Sequence, residues 1–98
     1  MIPGITEKEE KIIIDILKEY RNEFSFYYYG SRAKGNFEKT SDLDILIKGK
    51  TKIPLRILQK LKDFFDLSDL PYVVNFSDYH YITSDFYEII KPSLVPVF

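Results

Sequence analysis

The stretch Tyr29-Gly30-Ser31-Arg32-Ala33-Lys34-Gly35-Asn36 is followed, six residues on, by Asp42-Leu43-Asp44. Just before it, Phe24-Ser25-Phe26-Tyr27-Tyr28-Tyr29 is rich in aromatics and stops at a glycine, the pattern of a buried strand. Gly30 at that strand's end lets the backbone come close to a ligand, because no Cβ stands in the way. A short helix opening at Ser31 turns its free amides outward, where they suit phosphate oxygens. The Ser31 hydroxyl adds a donor, and Arg32 or Lys34 supplies charge. Downstream, Asp42 to Lys48 alternates, so Leu43, Ile45 and Ile47 share one strand face while Asp42 and Asp44 share the other. Two carboxylates that converge to ~5 Å repel by about 3 kcal/mol at an effective dielectric of about 20. A divalent cation offsets that cost, and Mg²⁺ typically takes one or two carboxylates together with phosphate oxygens and water.

Working outward, Thr6-x-x-Glu9 has the form of a capping box, and Ile13, Ile16, Leu17 and Tyr20 recur at helical spacing. An amphipathic helix is expected from about residue 6 to 22. After the loop Gly49–Lys52, Pro54 opens a second long helix whose apolar stripe is Leu58, Leu61 and Phe65, with Ile57 and Phe64 beside it. Leu70-Pro71 ends that segment, and residues 72–77 read as a third strand. Tyr79 to Ile90 reads as a turn and then a helix that stops before Pro92. The apolar tail, residues 94–98, suits an edge strand or a contact surface. The order predicts an α+β fold, a small mixed sheet with helices packed on it.

The chain has 98 residues, 45% hydrophobic and 16% aromatic, enough for one packed domain over residues 1–98. With no cysteine, disulfide frameworks and thiolate metal sites are excluded, which suits a reducing cytoplasm. A net charge of −1 without a concentrated basic run gives no footprint for duplex nucleic acid. The first residues form neither a basic leader nor an apolar secretion signal, and no apolar run approaches a membrane span. A cytoplasmic location is therefore expected.

Gly30-Ser31, ten residues, then Asp42-Leu43-Asp44, set between strands, resembles the DNA polymerase β-like nucleotidyltransferase superfamily and in particular its smallest members, the minimal nucleotidyltransferases. The resemblance covers nearly the whole chain and implies transfer of AMP from ATP to a hydroxyl. It implies that Asp42 and Asp44 hold Mg²⁺, as two ions with bound nucleotide, and that Gly30, Ser31 and Arg32 contact the nucleotide. Stand-alone domains of this size resemble antitoxins paired with HEPN-type ribonuclease toxins, some of which are silenced by adenylylation of a tyrosine. A hetero-oligomer with such a helical partner is the resulting expectation.

One position departs from the pattern. The resemblance calls for a third carboxylate after the long helix, in a segment like Pro-Tyr-x-Val-Asp, and here Pro71-Tyr72-Val73-Val74 is followed by Asn75. Asn75 offers a neutral oxygen but cannot take a proton as a carboxylate does. Asp78 replaces it only if a turn at Ser77 brings it round, since a continuous strand points it the other way. Asp42, Asp44 and Asn75 are thus the expected catalytic set. An antitoxin that neutralises its partner by binding alone is the rival reading; transfer to a small molecule presented by a helical partner is another. His80, the Tyr27–Tyr29 run and the Lys48, Lys50 and Lys52 cluster read more simply as surface, core and solvated loop.

Overall fold

The computed structural model describes residues 2–98. Helix α1 (Glu7–Leu17) begins with the expected capping box: Glu9 N–H donates to Thr6 Oγ1 at 3.1 Å and Thr6 N–H to Glu9 Oε1 at 3.0 Å. The helix is shorter than its apolar spacing suggested. Its end tightens into a 3-10 turn at Lys18–Tyr20, closed by Arg21 N–H donating to Lys18 O, the narrower winding common at helix ends.

Strand β1 (Phe24–Tyr29) leads through Gly30 into the single-turn helix α2 (Ser31–Lys34), and β2 spans Leu43–Gly49. Helix α3 (Leu55–Asp66) follows Pro54, and β3 covers Val74–Asp78. Helix α4 (Ser84–Ile90) is capped by Thr83, whose hydroxyl accepts from Phe86 N–H at 3.1 Å; β4 (Val95–Pro96) closes the order. β3 starts two residues later than its sequence pattern suggested. Tyr72 is drawn out of the ladder, its hydroxyl donating to Glu9 Oε1 at 3.1 Å and its ring lying 4.0 Å from the Arg32 guanidinium.

The four strands run β3-β2-β1-β4, with β2 and β3 parallel and the other pairs antiparallel. This is the mixed sheet of the expected α+β fold. The tail takes the first of its two readings, an edge strand, with Val97 N–H donating to Phe26 O at 2.9 Å. α1 and α3 cover one face, burying Ile13, Leu17, Phe26, Tyr28, Leu43, Ile45, Ile47 and Leu61. Complete burial of such a side chain contributes about 1.5–3 kcal/mol. On the other face a smaller cluster, Tyr29, Leu46 and Ile90, lies under α4. Among the described residues no helix is long and apolar enough to cross a membrane.

Candidate active site

Strand parity sends Asp44 to the α4 side of the sheet, opposite the Leu43–Ile45–Ile47 core face. The register then builds the site. Tyr29, the last residue of β1, pairs with Asp44, and Asp44 pairs on its other side with Asn75 of β3. Asp42, just ahead of β2, is exposed and accepts a hydrogen bond from Asn75 Nδ2 at 2.8 Å. Asp42, Asp44 and Asn75, expected together from the sequence, do come together.

Gly30 completes the arrangement from the β1 side. Its backbone sits at φ 80° and ψ −162°, a region open almost only to glycine. A Cβ there would also collide with Asp44 Oδ2 and come within 3.2 Å of Asp44 Cγ. Two separate constraints thus require glycine, and together they let the turn pack directly against the Asp44 carboxylate. Ser31, half-buried, starts α2 directly after this turn, and the turn is held by Lys34 N–H donating to Gly30 O at 3.1 Å and Gly35 N–H to Ser31 O at 2.9 Å.

Burial raises the Asp44 pKa above the ordinary aspartate value, the neighbouring Asn75 amide opposes that rise, and the Asp42 charge adds to it. Asp44 is thus partly withdrawn from water, beside the exposed carboxylate of Asp42. The donor set of the pair suits Mg²⁺: two hard carboxylates whose strand positions share one face, with the Gly30 turn packed against Asp44. Asn75 adds only a neutral oxygen. Among the described residues no group of three or more His, Cys, Asp or Glu is placed to hold a metal.

Arg32 corrects the expectation that it contacts nucleotide. It is 5% exposed, and its guanidinium turns inward. Nε donates to Ser41 O at 2.8 Å, Nη1 to Gly4 O at 2.6 Å, and Nη2 to Lys39 O at 3.0 Å and Glu38 O at 3.4 Å. The rings of Tyr72 and Phe37 flank it at 4.0 and 5.0 Å. A buried cation without a carboxylate is held by converging carbonyl dipoles, so Arg32 fastens the α2–β2 connection to the N-terminal segment.

Asp78 does not rescue the third position. β3 continues through it without a turn at Ser77, and its buried carboxylate accepts from Ile53 N–H at 2.7 Å and His80 N–H at 2.9 Å. His80 is exposed, with its Nε2 2.8 Å from Gly49 O, away from the carboxylates. Lys48 shares the Asp44 face but is tied to α4, donating to the Tyr87 hydroxyl at 3.0 Å. Sequence reasoning overlooked the Tyr29 and Ser77 hydroxyls, 2.8 Å apart beside Asp44. Parity held the clue, since Tyr29 and Ser77 alternate onto the same face as Asp44 and Asn75. A cleft of ≈ 510 Å³ lined by Thr6, Glu9, Arg32, Phe37 and Tyr72, among others, lies elsewhere and includes none of the carboxylate pair. Asp42 and Asn75 are exposed, so the site opens to solvent at the end of the sheet, beyond the part of this face that α4 covers.

A glycine turn set against a strand carboxylate pair on this mixed sheet is the arrangement of a nucleotidyltransferase domain. That family, described as the nucleotidyltransferase domain, matches residues 10–96, and the chain belongs to it. A probable protein adenylyltransferase, MntA of Haemophilus influenzae, is 33% identical over 93 residues, covering 95% of this chain and 82% of its own length. Two solved structures share the fold. A toxin–antitoxin with AMP-PNP superposes with a TM-score of 0.73 at 19% identity, over 91% of this chain and 72% of that one. The tri-AMPylated Shewanella oneidensis HEPN toxin in complex with MNT antitoxin gives a TM-score of 0.60 at 18% identity, over 91% and 68%.

Proposed function

We propose that this chain is an antitoxin that transfers AMP from ATP to a tyrosine hydroxyl of a HEPN-type helical toxin. The observation that carries the reading is the convergence of Gly30, Asp42, Asp44 and Asn75 at one end of the sheet. The similarity to a probable protein adenylyltransferase supports the reaction class. In the transfer, the acceptor oxygen forms a bond to the α-phosphorus while the α–β bridging P–O bond breaks. Pyrophosphate leaves, and the hydroxyl proton passes to solvent. Asp42 and Asp44 would hold Mg²⁺, which neutralises the phosphates when bound. Gly30 lets the triphosphate approach the sheet end, and the Ser31 hydroxyl donates to it. Asp42 and Asn75 are exposed, which leaves the site accessible to an acceptor hydroxyl carried by the partner.

A second reading, neutralisation by masking alone, is favoured by one observation: Asn75 stands where the third carboxylate is expected. The intact mass of the co-purified partner after incubation with Mg·ATP separates the two. Transfer predicts added adenylyl units that vanish in Asp44→Asn. A stable complex with no mass change rejects transfer in favour of masking, and undiminished transfer by Asp44→Asn rejects the assignment of the site.

A further inference from the structure

We infer that this chain takes up one divalent cation with its nucleotide rather than two, and that Asn75 sets that number. The inference rests on the nucleotidyltransferase reading of the site and concerns what this particular set of side chains can hold. Asn75 is the residue of β3 in register with Asp44, so it occupies the only β3 position flush with the carboxylate pair. Its side chain lies 2.8 Å from Asp42 Oδ2. An ionised carboxylate only accepts hydrogen bonds, so the group facing Asp42 is the amide nitrogen. An N–H donor cannot ligate a cation. Asn75 therefore holds Asp42 in place and fills, with a donor, the side on which a third anionic ligand would stand.

Ligand counting points the same way: among the described residues no third carboxylate or histidine joins Asp42 and Asp44, so a second cation finds no further anionic ligand from this chain. The remaining carboxylate of β3 and the histidine after it lie away from the pair and are engaged elsewhere. Asp78 is buried and accepts from the Ile53 and His80 amides, and His80 Nε2 lies against Gly49 O. Turning the Asn75 amide round would break its bond to Asp42 and supply one neutral oxygen in exchange. The first cation needs none of this, because nucleotide phosphates complete its shell. Asn75 is thus a positioning residue for Asp42 and a limit on metal loading.

The test is a count of Mn²⁺ bound per bound AMP-PNP, by equilibrium dialysis with electron paramagnetic resonance of free Mn²⁺, corrected for Mn²⁺ on free nucleotide. Wild type should give one Mn²⁺ per bound nucleotide, and Asn75→Asp should give two. Asn75→Asp should also melt lower than wild type in chelator and recover on adding Mn²⁺, a readout that does not depend on nucleotide or activity. Two Mn²⁺ in wild type, or one in a folded Asn75→Asp chain, would overturn the inference while leaving the nucleotidyltransferase reading standing. No nucleotide-dependent Mn²⁺ in either chain would remove that reading and the inference with it.

Discussion

Replacing Gly30 by alanine perturbs two independent features of the site at once. The first is backbone: at φ 80° and ψ −162° an alanine is strained by about 1–3 kcal/mol. The second is contact: the new methyl collides with Asp44 Oδ2 and sits 3.2 Å from its Cγ. The carboxylate can swing partly aside, which holds this overpacking near the lower end of the about 1–3 kcal/mol range. Together they give a loss of about 3 kcal/mol, which for a domain of this length lowers Tm by roughly 12–24 °C. The assay is a double-mutant cycle of Gly30→Ala and Asp44→Ala by thermal unfolding in chelator. The backbone cost survives in the double variant and the collision does not, so the coupling should be about 1 kcal/mol in the direction of relief. A Gly30→Ala chain melting within 2 °C of wild type, allowing ~2 °C for measurement error, would refute both parts of the argument. An additive cycle would refute the contact with Asp44 alone.

Three further predictions follow from the same geometry. Asp44 has a raised folded pKa, so the apo fold is favoured when Asp44 is protonated, and that stability is lost as pH rises through the raised value. Asp44→Asn should therefore melt close to wild type near pH 3 (roughly the unperturbed range) and a few degrees above it near neutrality in chelator, since screening leaves about 1 kcal/mol. With Mg·ATP the order should reverse, because the variant forfeits ligand-linked stabilisation. Arg32→Met should unfold about 3 kcal/mol more easily, as several carbonyls lose a charged donor; urea denaturation measures it, and an unchanged midpoint would return Arg32 to a surface role. Asp78→Ala should lose about 1–3 kcal/mol by freeing the Ile53 and His80 amides, and amide exchange at Ile53 should accelerate with it.

The parts of this protein that could be read from sequence are those governed by short-range rules. Period-two alternation placed Leu43, Ile45 and Ile47 in the core and Asp44 opposite them, because neighbours on a strand must face opposite ways. The capping box at Thr6 and Glu9 and the glycine after Tyr29 are likewise local, and each is present. Arg32 was misread because its neighbours, Ser31 and Lys34, suggest an anion site, whereas its surroundings come from distant segments. Gly4 O and the carbonyls of residues 38–41 converge on it only after folding, and Tyr72 closes over it from beyond α3. The late start of β3 has the same origin, since Glu9 of α1 claims the Tyr72 hydroxyl. Side chains whose role depends on such long-range partners leave no periodic trace.

The strand pairing also bears on the order in which the chemistry is assembled as the chain folds. Gly30 and Asp44 belong to one antiparallel hairpin, closed by a modest loop, so the entropy lost in bringing them together is small. Asn75 joins only through the parallel crossover that carries α3, a closure over many more residues. Nucleation on the hairpin would thus set the glycine turn against the carboxylates before the amide docks on Asp42. Mutations in β1 and β2 should slow refolding, while those at Asn75 should act mainly on the rate of unfolding.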